Sequence, residues 1–263
     1  MRALLIVGLF LIVLFLIWGL STISWGKKES PDYDQQLVSL SGQLLLYVKS
    51  EDPTDSLELA LSRITPAELK SGLSNDIARK VFWINMYNAW FQILSLRDTG
   101  DKSNLFTAKS IPIASMLFSL DEIEHGILRK YRSKYSLGYL PQFFPPSIIK
   151  QLSVSTIDYR IHFALNCGAK SCPPIAFYDY DALEEQLETA ARSFLASETE
   201  IDEEKKLVRA SKIMEWFKAD FGGIRGIRRI LSKYLEKDLS GYTIQFKEYN
   251  WDAQLKNFVR DSI

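Results

Sequence analysis

The sequence has no excess of either charge: 32 Lys+Arg stand against 32 Asp+Glu in 263 residues. With no long Lys/Arg block, it offers nothing that attracts a phosphate backbone, which argues against a nucleic-acid reader. Beyond residue 30 it has no second long apolar run, repeat, low-complexity tract or Gly/Ser linker, and its 13 Gly and 9 Pro are scattered. Together with 47% hydrophobic residues, these absences exclude a collagenous or disordered chain. They leave one domain of roughly 230 residues. Histidine and cysteine are rare, two of each, so their few positions carry the chemical argument.

The first feature present is an uncharged stretch between Arg2 and Lys27, apolar or Gly from Ala3 to Leu20. As a helix, such a run rises roughly 27 Å, enough to span a thin hydrocarbon core. It exceeds the usual h-region of a cleaved signal peptide, and Trp18 and Trp25 bracket its far end, as at a lipid–water boundary. The expectation is therefore a signal-anchor over 1–26, a membrane partner, and a soluble domain outside the cytoplasm, on the periplasmic side in a Gram-negative cell. Residues 27–73 read as a helical lead-in and 74–263 as the core domain.

Apolar spacing predicts helices through Leu37–Val48, Leu57–Ile64, Asp181–Ala196, Ser211–Phe221 and Ile224–Tyr234. Ser74 and Asn75 can cap a long helix to about Arg97. Ser119-x-x-Glu122 has the form of a capping box opening another helix through Glu124 and His125. Tyr159–Leu165, Lys205–Ala210 and Tyr242–Phe246 read as strands. The fold class expected is α+β, a helix-dominated single domain with a small β-sheet, preceded by one transmembrane helix.

Two segments do not read as ordinary core. Val81–Leu96 would be a fully buried helix except for Asn85, Asn88 and Gln92, which share one face. Three unsatisfied buried amides would each cost about 1–3 kcal/mol, so this stripe must meet partners or a ligand. The segment Asp158–Pro174 (DYRIHFALNCGAKSCPP) holds both cysteines and one histidine. Three readings stay open for Cys167 and Cys172: a local disulfide, a catalytic thiolate, or, third, ligands to a metal. On an extended 159–166 segment His162 faces away from Cys167 and pairs with Asn166 or Arg160. His125, beside Glu124, is then the better base.

Four blocks, Phe82–Ala89 (FWINMYNA), Leu120–Arg129 (LDEIEHGILR), Asp158–Pro174 and Tyr249–Trp251 (YNW), resemble the signature blocks of the domain-of-unknown-function family numbered 547. Tyr159 and Asn250 depart from the family's usual Pro and Asp. The resemblance implies a domain and no reaction. It also implies relatives in compartments that keep thiols reduced, which argues against an obligatory disulfide.

Residue chemistry gives two expectations. In the first, a thiol-dependent hydrolase or transferase acts on an amide or ester bond, without metal or cofactor. Cys167 is the nucleophile, His125 the base oriented by Glu124 or Asn85, His162 the alternative base, and the Gly168–Ser171 N–H groups are the oxyanion donors. In the second, a Cys167–Cys172 disulfide shapes a non-catalytic module that holds a small-molecule or peptide ligand through Asn85, Asn88, His125, Arg129, Arg160 and Asn166.

Overall fold

The computed structural model describes residues 34–97 and 104–259. Asp34 starts α1 (Gln35–Ser50) by accepting the Gln36 and Leu37 N–H groups on its carboxylate. After α2 (Asp55–Arg63), Thr65 and Glu68 form a reciprocal capping box that opens α3 (Pro66–Gly72). Next comes α4 (Asp76–Arg97), where Asn75 Oδ1 accepts the Ala78 N–H at 3.0 Å, the cap expected from the sequence. Every residue from Val81 to Ile93 on α4 is buried, so helices and loops surround this one on all sides. It is the axis of the larger hydrophobic core.

A short hairpin, β1 (Ile111–Ile113) with β2 (Met116–Phe118), leads to Ser119. The Ser119 capping box forms as its spacing predicts: Ser119 Oγ accepts the Glu122 N–H and Glu122 accepts the Ser119 N–H. What it opens, however, is a π-helix, Glu122–Leu128. Its wider turns show in the bonds from Arg129 N–H to Glu124 O (2.9 Å) and from Tyr131 N–H to Gly126 O (2.7 Å), each spanning five residues. Then follow α5 (Ser147–Leu152), a 3₁₀ turn (Tyr159–Phe163) and α6 (Leu183–Glu198). A three-stranded sheet is built from β3 (Glu200–Asp202), β4 (Leu207–Ala210) and β5 (Thr243–Phe246), with β3–β4 antiparallel and β4–β5 parallel. Between β4 and β5 lie α7 (Ile213–Trp216) and α8 (Gly223–Tyr234). These elements enclose a second core around Phe163, Phe194, Phe221 and Leu231.

The architecture is α+β and helix-dominated, with two small sheets where one was expected. Among the described residues no helix is long and apolar enough to cross a membrane. The segment 1–26 read as a signal-anchor lies outside the described residues. The expected transmembrane helix, membrane partner and membrane-anchored extracytoplasmic location are corrected accordingly, since nothing in the described fold provides them. The strand expected over Tyr159–Leu165 is a 3₁₀ turn, because the Asp158 side chain accepts the Arg160 N–H (3.1 Å) and curls the chain. That removes the alternation which placed His162 and Cys167 on opposite faces. The helix expected over Ser211–Phe221 is regular only through Ile213–Trp216; turns complete it.

Candidate functional site

The amide stripe of α4 works as a ruler that holds the cysteine loop. Asn85 makes a two-point pairing with Tyr178, donating to its carbonyl (2.8 Å) and accepting its N–H (3.1 Å). Asn88 does the same between Ala164 O and Asn166 N–H, both at 2.9 Å. Gln92 accepts the Lys256 N–H (2.9 Å) and donates more weakly to Asn166 Oδ1 (3.4 Å). Asn166 in turn donates to Pro173 O (2.7 Å) and accepts the Gly168 N–H (2.9 Å), closing the loop around both cysteines. Gly168, at φ +74°, lies so close to α4 that a Cβ would stand 2.6 Å from Phe91 Cε1. These partners lie on remote segments and satisfy the amides that sequence alone left unpaired.

Within that loop Cys167 and Cys172 are joined by a disulfide, Cα–Cα 6.0 Å. The sulfurs form one wall of a cavity of about 190 Å³ at the seam of the two cores. Its apolar walls include Phe106, Leu165, Phe217 and a cluster of Trp216, Tyr249 and Trp251, whose ring centroids lie 4.6–5.6 Å apart. Its polar floor is Tyr87, Asp121, Glu124, His125 and His162. Two larger open grooves beside α1, about 850 and 650 Å³, hold neither histidine nor cysteine. The chemistry is concentrated in the smaller cavity.

Behind the floor, Arg129 and Asp220 form an ion pair at 2.6 Å, their side chains 0% and 1% exposed. Asp220 Oδ2 also meets His162 Nε2 at 2.9 Å. The contacts from His162 and Arg129 hold the Asp220 carboxyl down at about 2 against burial, so it is ionised and Nε2–H must be the donor. Burial pushes His162 below its ordinary pKa, leaving a neutral ring whose basic nitrogen is Nδ1. His125 has the opposite tautomer: Arg129 donates to its Nδ1 at 2.8 Å, so Nε2 carries the proton. Burial, reinforced by the Arg129 charge, drives His125 down to about 3. Glu124, which accepts from Tyr87 (3.2 Å), is raised by burial. Phe217 closes the arrangement, stacked on His162 at 4.0 Å and under the Arg129 guanidinium at 4.4 Å. Gly138, at φ +81°, packs onto the ion pair from outside; a Cβ there would stand 2.6 Å from Asp220 Oδ1 and 2.8 Å from Arg129 Nη2.

Three of the four signature blocks fall inside residues 71–195, which match the family described as "Protein of unknown function, DUF547". This chain is a DUF547 domain-containing protein. No curated protein and no solved structure matches it. The DUF547 region supplies Glu124, His125, Arg129, His162 and both cysteines, while Asp220 and Tyr249 come from the chain beyond it.

Of the residues singled out in the sequence, Cys167, Cys172, Glu124, His125 and His162 meet at the cavity. Arg129 lies one layer behind. Asn85, Asn88 and Asn166 are turned to backbone partners, and Asn85 pairs with Tyr178, not with a histidine. Arg160 sits elsewhere, paired with Asp158 (2.8 Å) and Glu184 (2.5 Å) beside a separate depression. Three of the four loop N–H groups are also committed: Gly168 to Asn166, Lys170 to Asp252 O, and Ser171 to Asn250 O. Sequence reading missed Asp220, Tyr87 and Tyr249. Tyr87 and Tyr249 each carried one signal, a place in a signature block; Asp220 carried none.

Proposed function

We propose that the DUF547 domain is a thiol-dependent hydrolase or transferase for an amide or ester bond, working in its reduced state, with Cys167 as nucleophile and His162 as base. The observation that carries this reading is the Asp220–His162 pair at 2.9 Å, which directs the ring's basic nitrogen away from Asp220 while His162 shares the cavity wall with Cys167. Arg129 on His125 Nδ1 makes His125 a donor, so the two histidines divide the work. Once the disulfide is opened, His162 Nδ1 takes the Cys167 Sγ proton and the thiolate attacks the substrate carbonyl carbon. The charge arriving on the carbonyl oxygen meets the His125 Nε2–H, a neutral donor throughout the physiological range. The protonated His162, steadied by Asp220, returns the proton to the leaving nitrogen or oxygen, and water or an acceptor then releases the thioester.

A second reading rests on the disulfide itself: with both sulfurs bonded, the same cavity is a non-catalytic binding site for a small ligand. Treating the reduced chain with p-nitrophenyl acetate and mapping the product separates the two. The enzyme reading predicts an acetyl thioester on Cys167, formed about 10²–10⁴-fold more slowly in His162→Ala. A reduced, folded protein that gains no acetyl group on Cys167 contradicts it.

A further inference from the structure

The two sulfurs of the disulfide are not equivalent. Cys172 is 5% exposed, whereas Cys167 is partly open on the cavity wall. Both lie 3.0 Å from the Tyr249 hydroxyl, which must be the donor because a disulfide sulfur carries no hydrogen. Only Cys172 Sγ receives a second donor, the Cys167 backbone N–H at 2.9 Å. Negative charge developing on sulfur is therefore better accommodated on Cys172, and an incoming group reaches Cys167 more easily. Trp251, 64% exposed, stands at the same cavity and gives an apolar shoulder for whatever brings that group.

We infer that Cys167–Cys172 is an exchangeable disulfide that accepts two electrons from an external dithiol, with Cys167 the sulfur attacked and Cys172 the leaving thiolate. This goes beyond the hydrolase reading and does not need it. One thiolate of the dithiol attacks Cys167 Sγ, the Cys167–Cys172 bond breaks, and its electron pair goes to Cys172 Sγ, held by the Cys167 N–H and the Tyr249 O–H. The second thiolate of the dithiol then attacks the external sulfur of the mixed disulfide and expels Cys167 as thiolate. The dithiol ends as a disulfide, and its two protons end on Cys167 and Cys172.

The test uses the full oxidised chain in native buffer with dithiothreitol, quenched by alkylation at timed intervals and read by mass. Unfolding is measured separately under the same conditions. The inference predicts reduction much faster than unfolding, slowed roughly tenfold in Tyr249→Phe by loss of a donor to the departing thiolate. It also predicts that oxidised glutathione forms a mixed disulfide on Cys172→Ser at least about tenfold faster than on Cys167→Ser. Reduction only at the unfolding rate, or equal capture by the two variants, overturns it. If either single-cysteine variant fails to fold, the wild-type rate against its own unfolding rate decides. The readout is exchange alone, so its failure is separate from a failure to form an acyl-enzyme.

Discussion

Replacing Asp220 by alanine is expected to lower the unfolding free energy by about 3–5 kcal/mol, the cost of leaving a buried charge without its partner. Arg129 has no exposed surface, and the Asp220 contact at 2.6 Å is its carboxylate pairing. Without it the guanidinium keeps only the neutral His125 nitrogen and the face of Phe217. His162 loses its hydrogen bond to Asp220 at the same time. Denaturant midpoints of the wild type and Asp220→Ala give the stability change. Asp220→Asn separates structure from positioning: it keeps the shape and a hydrogen-bond acceptor for Nε2–H, but removes the charge that steadies a protonated His162. In reduced protein that variant should move the pH profile of Cys167 alkylation upward, which a purely structural role would not do. An unmoved profile would remove Asp220 from the chemistry and leave it as a structural ion pair.

Acid should destabilise this protein well before its carboxylates are protonated. His125 is held at about 3 by burial and the Arg129 charge, and His162 is lowered by burial, against an ordinary value of 6.5. The unfolded chain therefore binds more protons than the folded one below that ordinary value. The stability contribution is complete above it and falls as the pH drops toward the folded values, at up to about 1.4 kcal/mol per pH unit for each histidine. His125 alone accounts for about 2 kcal/mol between pH 7 and pH 5, with His162 acting in the same direction. Glu124 opposes this, because its raised pKa lets the folded state keep a proton that the unfolded chain has released above 4.5. Asp220, depressed from 3.8 to about 2, adds its loss only at lower pH. Urea midpoints across this range should decline steadily from neutral pH, and His125→Gln should flatten the slope. A midpoint unchanged between neutral pH and pH 5 would mean that the histidines titrate normally in the fold.

Much of the helical frame was legible because its signals are local. The Asn75 cap, the Ser119–Glu122 box and the apolar spacing of α1, α6 and α8 each depend on residues within a few positions. The amide stripe of α4 was legible as a demand for partners, but not as an address. Asn85 and Asn88 find theirs 93 and 76 residues away, and no local pattern encodes that. Tyr159–Leu165 misled because apolar alternation has the strand period, while a single carboxylate at Asp158 decides the backbone by capping a turn. The π-helix was invisible for a related reason: its capping box is that of any helix, and the wider turns appear only in the bonds from Arg129 and Tyr131. Asp220 had no signal at all. It precedes a Phe-Gly-Gly turn, and its meaning comes from Arg129 and His162, which reach it from 91 and 58 residues away.

The central claim is that Cys167, once reduced, is activated by His162. The most direct measurement is the rate of iodoacetamide alkylation at Cys167 in the reduced, folded chain as a function of pH, beside the same rate in His162→Ala. The account predicts a midpoint well below the value of about 8.5 of an ordinary thiol, moving up toward that value when the imidazole is removed. An ordinary midpoint that is identical in the two proteins would contradict it and leave the cavity as a place where ligands bind without reacting.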